Sequence, residues 1–133
     1  MIQQIAVQTH SRDQMIDVTA KVEEIVRQSP SESGLAICFV PHTTAGITIN
    51  ENADPDVKSD ILSVLRERIP QSDRYAHSEG NSDAHIKASL MGFSVQVMFE
   101  KRSLVLGRWQ AIFFCEFDGP RSRQLLVKLI PHA

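Results

Sequence analysis

The apolar run Leu35–Val40 is the stretch that most constrains how this chain can fold. Its residues are continuously apolar, and they are bounded by Gly34 on one side and Pro41 on the other. A short apolar run between turn residues is typical of a strand that is buried on both faces. We therefore expect this run to form the best core strand and to deliver the residues after Val40 to one end of a sheet.

Other periodic segments surround this run. Their apolar patterns predict further strands at 2–9, 15–18, 47–49, 93–99, 104–117 with a bulge at Gly107–Arg108, and 124–130. Three helices are predicted, at 19–28 with Thr19 as N-cap, at 55–69 with Asp54 as N-cap and Pro55 at the first position, and at 82–91 with Ser82 as N-cap. This order of elements predicts an α+β fold, with helices packed on a largely antiparallel sheet.

Length and charge narrow the class of protein. With 133 residues the chain is expected to form one domain, 1–133. A net charge of −2 disfavours a nonspecific nucleic-acid binder. The N-terminus has no cationic flank before a long apolar run, and no stretch approaches membrane-spanning length, so we expect a soluble, cytoplasmic protein without a membrane partner. Cys38 and Cys115 lie in apolar runs and are expected to be core residues.

Residues 75–85 hold the densest group of polar side chains. Between His77 and His85 lie Glu79, Asn81 and Asp83. Gly80 allows the loop to fold back on itself, so that His77 and Glu79 approach His85 near the start of a helix. Such a geometry suits a divalent metal ion or a polar substrate. The simpler alternative is a polar loop before a helix, which needs no function.

Two further polar clusters flank the short strand 47–49. They are His42–Gly46 and Asn50–Asp54, and both lie at ends of predicted elements, where scaffolds place functional groups. Histidine and carboxylate side chains bind zinc, manganese or magnesium, and open positions on the ion would suit Lewis-acid chemistry or phosphate binding. The alternative is that Asp54 only caps a helix and that Glu51 is solvated.

An anion site is a second hypothesis. Arg108, Arg121 and Arg123 flank strand ends, so that guanidinium groups could hold a phosphate together with the hydroxyl groups of His42–Gly46. Each arginine alone could equally be solvated. Trp109 could stack on a flat ligand or cover the core. The chain contains no nucleophile elbow, Walker loop or dinucleotide fingerprint.

Four ordered motifs give the chain a resemblance to a known family. They are Val40–Ala45, Asn50–Pro55, His77–His85, and Leu106–Gln110 together with Phe117–Arg121. In these motifs the chain resembles the YjbQ family over nearly its whole length. The resemblance implies an α+β fold of strands layered with helices, a homo-oligomer that is commonly a trimer, and a secondary thiamine-phosphate synthase activity.

The resemblance also implies a set of site residues, to which Thr44 is added for the hydroxyl groups of His42–Gly46. We expect a divalent metal ion on His42, His77 and His85. Catalytic roles are expected for Glu51, Glu79 and Asn81. Contacts with a phosphorylated small-molecule substrate are expected from Thr44, Asn50, Trp109, Gln110 and Arg121. The alternatives are a non-catalytic oligomeric module that binds a metal or an anion, and a metal-dependent hydrolase.

Overall fold

A computed structural model describes residues 1–132, which form a mixed α+β domain. The strands are β1 (Ile2–Gln8), β2 (Gln14–Asp17), β3 (Gly34–Phe39), β4 (Ala45–Glu51), β5 (Ser94–Glu100), β6 (Ser103–Leu104), β7 (Gln110–Glu116) and β8 (Ser122–Pro131). The helices are α1 (Thr19–Arg27), α2 (Pro55–Arg68) and α3 (Ser82–Met91).

The strands form two antiparallel sheets. One has the order β1-β8-β3-β5-β6 and the other the order β2-β7-β4. Helix α3 packs against β4, and α1 lies near β6 and β7. The predicted α+β class with largely antiparallel pairing is confirmed. No helix within residues 1–132 is both long enough and apolar enough to cross a membrane.

The three-stranded sheet is the middle layer of the molecule. On β7, Ile112 and Phe114 belong to the core that this sheet shares with the five-stranded sheet and α1. The alternate residues Phe113 and Cys115 pack instead with apolar residues of α2 and α3. Side chains of a strand alternate between the two faces, so β7 is buried on both of them.

The prediction that Leu35–Val40 would be buried on both faces is wrong. Ala36 and Cys38 are fully buried, but Phe39 is 44% exposed. The reason is that β3 lies in an outer sheet, which has the core on one side only. The strand with both faces covered is β7, whose residues 111–116 are all buried, including the charged Glu116.

Two of the three helix caps differ from prediction. Helix α1 begins at Thr19, but its N-cap is Val18. The Thr19 hydroxyl instead accepts a hydrogen bond from the Ile112 N–H at 2.9 Å, which ties the helix to β7. Helix α3 begins at Ser82 with Asn81 as N-cap, and neither α1 nor α3 has a capping bond from an N-cap side chain.

The predicted cap of α2 is confirmed. Asp54 accepts a hydrogen bond from the Asp56 N–H at 2.9 Å, and Pro55 occupies the first helical turn. The predicted bulge at Gly107–Arg108 is wrong, because β6 and β7 belong to different sheets and this segment crosses between them. Cys38 and Cys115 are buried core residues as predicted, and burial raises the pKa of each thiol to about 12.

Candidate active site

A polar cleft lies where three connecting segments meet. The segments are the loop after β3, the loop that leads into α3, and the turn between β7 and β8. The cleft has a volume of about 570 Å³, which is the size of a small-molecule site. It is lined by Pro41, His42, Thr43, Thr44, His77, Glu79, Asn81, His85, Asp118, Arg121 and Arg123.

This cleft brings together residues that are far apart in sequence. All three predicted metal ligands line it. So do Glu79 and Asn81 of the predicted catalytic group, and Thr44 and Arg121 of the predicted substrate contacts. The juxtaposition of the His42 loop with the 77–85 loop depends on α3, which packs along β4.

The other predicted site residues lie elsewhere. Trp109 and Gln110 line a second cleft of about 310 Å³, near the far end of β4. In the antiparallel register Ala45 pairs with Glu116, whereas Glu51 pairs with Gln110. At about 3.4 Å per residue, the two ends of β4 are roughly 20 Å apart. Within one chain, Asn50, Glu51, Trp109 and Gln110 therefore do not share the histidine cleft.

His77 and His85 lie side by side. Their ring centroids are 5.4 Å apart, in an edge-to-face arrangement. The Nε2 atom of His77 is 3.0 Å from Oδ1 of Asn81. It is 3.8 Å from the nearer carboxylate oxygen of Glu79, which is beyond hydrogen-bond distance. Asn81 is therefore the hydrogen-bond partner of His77.

Asp118 forms the floor of this side of the cleft. Its carboxylate accepts hydrogen bonds from Arg12 Nη1 at 3.3 Å, from Asn81 Nδ2 at 2.9 Å and from Arg121 Nη2 at 3.2 Å. Arg12 also donates to the buried Asp83 at 3.0 Å. The Asp118 carboxylate thus connects the loop before α3, the segment before β2 and the turn after β7.

His42 is held by the backbone of β8. Its Nε2 atom accepts a hydrogen bond from the Gln124 N–H at 2.9 Å. Burial, together with the positive charge of Arg123, lowers the pKa of His42 below its ordinary value. The ring is thus neutral near pH 7. Because Nε2 must supply a lone pair to Gln124, the proton of the neutral ring is on Nδ1.

A buried ion pair lies beneath the cleft. Arg123 and Glu116 are bonded twice, through Nε and Nη2 of the arginine. Thr9 Oγ1 also donates to Glu116, and Arg123 Nη2 donates to Thr44 Oγ1. Burial alone would raise the pKa of Glu116, but these bonds and a backbone N–H from Asp118 hold that pKa below its ordinary value. Arg123 is therefore fixed at the cleft floor with its charge paired.

The three histidines of the cleft have the chemistry of metal ligands, but the structure places only two of them next to each other. Within residues 1–132, no three side chains of the His, Cys, Asp and Glu types are grouped closely enough to hold an ion. His77 and His85 are adjacent, whereas Nε2 of His42 is engaged with Gln124. His42 can bind a metal through Nε2 only after that hydrogen bond breaks.

Sequence reasoning did not assign Asp118 to the site, although Asp118 lies in the motif Phe117–Arg121. Arg123 was considered as one of three arginines at strand ends, but it is buried. One signal for it was available. Arg123 lies on the same face of β8 as the core residues Leu125 and Val127. Glu116 similarly lies within an apolar run. A charged residue at a core-facing position requires a partner.

The comparison with known families agrees with this architecture. The family model described as UPF0047 protein YjbQ-like matches residues 3–132. The chain belongs to the YjbQ family. A UPF0047 protein of Methanocaldococcus jannaschii is 48% identical over 130 residues, which cover 98% of this chain and 94% of that protein. YugU of Bacillus subtilis is also 48% identical, with 98% and 99% coverage.

Solved structures of YjbQ-type proteins share the fold. A protein of Clostridium acetobutylicum has a TM-score of 0.94 and is 54% identical, and the match covers 96% of this chain and 99% of that one. A protein of Sulfolobus solfataricus has the same TM-score at 32% identity, with 99% and 97% coverage. The layered α+β architecture is thus that of the family.

Proposed function

We propose that this protein is a small enzyme that acts on a phosphorylated small molecule with the help of a divalent metal ion. One observation carries the proposal: three imidazoles and two guanidinium groups line a single polar cleft. Guanidinium groups recognise phosphate oxygens, and imidazoles bind divalent transition metals or donate hydrogen bonds to anions.

The anion contacts would come from Arg121, Arg123 and His42. Within residues 1–132, no hydrogen bond of either arginine uses its Nη1 atom, so one donor group of each is available to a ligand. Neutral His42 adds an Nδ1–H donor while Gln124 occupies its Nε2. These donors line one cleft, with Arg121 and His42 in its loops and Arg123 in β8, so they can converge on one phosphate group.

The metal would be held first by His77 and His85, whose rings are already in contact. His42 would complete the three-histidine set after exchanging its bond to Gln124 for the ion. Zinc, manganese and magnesium are the candidates, and zinc is the best suited of the three to imidazole ligands. When bound, the ion would neutralise part of the charge on a phosphate or pyrophosphate group.

The family resemblance makes thiamine-phosphate synthesis the specific reaction to test. In that reaction the ring nitrogen of a thiazole phosphate attacks the methylene carbon of a pyrimidine pyrophosphate. A carbon–nitrogen bond forms, the carbon–oxygen bond to pyrophosphate breaks, and pyrophosphate leaves with the electron pair. The cleft would contribute positioning and charge stabilisation, and Glu79 would be the available acid or base. Attack by water instead would make the protein a hydrolase.

We also propose that the protein is a homo-oligomer, with the trimer as the expected state. The outward face of the five-stranded sheet carries Phe39, Met98 and Ile130, which are 44%, 60% and 43% exposed. The register places Leu35 between Met98 and Ile130 on this same face. Only an assembly could bring Glu51 or Trp109 of one copy to the histidine cleft of another. Light scattering of wild type and of Met98→Glu tests the interface.

The test of the proposed function is calorimetric titration with pyrophosphate, with and without zinc, manganese or magnesium. We expect Arg121→Gln to weaken binding roughly 10- to 100-fold, the effect of losing one charge-assisted contact. Arg27→Gln is the matched control, since it makes the same change on the exposed face of α1, outside the cleft. Equal effects of the two variants would show that binding does not depend on the histidine cleft.

Turnover then separates an enzyme from a binding module. With thiazole phosphate and pyrimidine pyrophosphate as substrates, we expect pyrophosphate release that depends on metal. Glu79→Gln should keep ligand binding and lose turnover. Tight pyrophosphate binding without turnover of any phosphorylated substrate would instead favour the non-catalytic module.

A further inference from the structure

We propose that Asp118 is a positioning residue that acts through Asn81 to fix the tautomer of His77, so that the ring lone pair is on Nδ1. This inference deepens the proposed function, since it assigns the arrangement that makes His77 able to bind a ligand. It also gives Asn81 an orienting role in place of a catalytic one.

The first step of the argument concerns the carboxamide of Asn81. A carboxamide presents a donor on one side and an acceptor on the other, and an ionised carboxylate only accepts. Asn81 Nδ2 lies 2.9 Å from Asp118 Oδ2, and Asn81 Oδ1 lies 3.0 Å from His77 Nε2. Because Asp118 cannot donate, the NH₂ group of Asn81 must face it. The carbonyl oxygen must therefore face His77.

The second step concerns the imidazole. An oxygen that faces Nε2 can only accept, so His77 must carry a proton on Nε2. In the neutral ring the lone pair is then on Nδ1. Glu79 does not compete for this role, because its nearer oxygen is 3.8 Å from Nε2 and the side chain is largely exposed. Histidines that ligate metals commonly donate their other ring N–H to a fixed oxygen in this way.

The third step concerns what fixes Asp118 itself. The carboxylate is only 12% exposed, and Arg12 and Arg121 both donate to it. The Asp118 N–H donates to the buried Glu116 at 3.0 Å. Arg12 is anchored in turn by Asp83, which is 1% exposed and also paired with the buried Lys87. Asp118 is therefore paired with two guanidinium groups and held in place from several sides, as an orienting group requires.

Two substitutions test the inference. Asp118→Ala removes the acceptor for Asn81, and Asn81→Ala removes the relay while leaving Asp118 with Arg12. The readout is the pair of ring ¹⁵N signals of His77 in metal-free protein, at about pH 8.5, roughly two units above the ordinary imidazole pKa of about 6.5. Wild type should show one tautomer, protonated at Nε2. Both variants should show a mixture of the two tautomers.

Asp54→Ala is the control for general destabilisation. It also removes a carboxylate, but that carboxylate caps α2 and does not line the cleft. We expect Asp54→Ala to lower stability and leave the His77 signals unchanged. If Asp118→Ala does not fold, Asn81→Ala alone decides. A single Nε2–H tautomer in the variants, or an Nδ1–H tautomer in wild type, would overturn the inference.

A second readout links the tautomer to ligand binding. If His77 binds zinc through Nδ1, Asp118→Ala should weaken zinc affinity roughly 10- to 100-fold, as loss of an orienting partner does at other metal sites. Weaker zinc binding with an unchanged His77 tautomer would contradict the positioning role. A changed tautomer in a protein that binds no zinc even as wild type would leave the positioning role intact and refute the metal site.

Discussion

The backbone N–H of Gln124 donates to Nε2 of His42 at 2.9 Å, and this bond takes the place of a backbone hydrogen bond between β8 and β3. Strands β3 and β8 pair as far as Phe39 and Leu126. The chain then turns away, with the Val40 N–H bonded to the carbonyl of Phe93. The imidazole satisfies the next N–H of β8, so the position of His42 is set by the sheet.

This bond predicts how His42 titrates. Burial and the positive charge of Arg123 oppose the charged form, so the folded pKa of His42 is below the ordinary value. Protonation at Nε2 would also remove the lone pair that accepts from Gln124. The contribution of neutral His42 to the free energy of unfolding is fully present above about pH 6.5, the ordinary imidazole pKa. It is lost as the pH falls towards and through the lower pKa of the folded state. Proton NMR of the His42 ring should give a midpoint below about 6.5.

A variant separates this effect from other titrations. His42→Gln keeps an oxygen that can accept from Gln124 but has no titrating group. Between about pH 7.5 and pH 5, the free energy of unfolding in urea should therefore fall less steeply for His42→Gln than for wild type. Identical slopes would mean that His42 does not have a lowered pKa.

The pair between Arg123 and Glu116 predicts a large stability effect. Both side chains are almost fully buried, so Glu116→Gln leaves the guanidinium charge unpaired. Breaking such a pair from one side costs about 3–5 kcal/mol. Urea unfolding near pH 7 measures the loss. Glu24→Gln is the control, since it breaks the exposed pair with Arg27 and should change the free energy of unfolding by less than about 1 kcal/mol.

The pair between Arg123 and Glu116 also makes the free energy of unfolding depend on pH. The pKa of Glu116 is lowered in the folded state, so its stabilisation is present above the ordinary carboxyl pKa of about 4.3 and is lost as pH falls through the lower folded value. In acid, wild type should lose stability more steeply than Glu116→Gln. Parallel acid unfolding curves would contradict the assignment.

The close approach of β4 and α3 makes Gly46 sensitive to substitution. A Cβ atom at Gly46 would lie 2.7 Å from the carbonyl oxygen of Gly92, which is backbone and cannot move alone. Gly46→Ala should therefore destabilise the fold by about 1–3 kcal/mol and weaken ligand binding, because α3 carries His85. Thermal unfolding and pyrophosphate titration check the two effects.

Gly107→Ala is the matched control for that change. The nearest contact of its added Cβ would be Oε1 of the flexible Gln110 side chain at 3.1 Å, which can shift at the cost of at most one exposed hydrogen bond from the Gly107 N–H. We expect a small effect on stability and none on binding at the histidine cleft. If Gly107→Ala were as damaging as Gly46→Ala, the backbone contact at Gly92 would not be the cause.

The element order could be predicted from sequence, but the layering could not. Alternation identifies β5, and Asp54 with Pro55 identifies the start of α2, because these signals are local. The runs 35–40 and 111–115 are both short and continuously apolar, and only the partition into two sheets decides which one has a layer on both sides. That partition depends on long-range pairing. A strand was therefore predicted at β7, but its position in the middle layer was not.

The candidate site was predicted in part for a similar reason. His77, Glu79, Asn81 and His85 lie in one short segment, so their proximity follows from the chain itself. Glu51 lies nine residues after His42 in sequence, but β4 between them is extended and carries it to the far end of the sheet. Asp118 lies in the motif Phe117–Arg121, but its role could not be predicted, since that role arises from three donors brought together by folding.

Zinc binding to the metal-free protein tests the central claim most directly. Calorimetric titration should be made with wild type, with His85→Ala, and with His132→Ala, which removes an imidazole outside the cleft. The account predicts one ion per chain for wild type and His132→Ala, and none for His85→Ala. Absence of zinc, manganese and magnesium binding in wild type, or unchanged binding in His85→Ala, would contradict it.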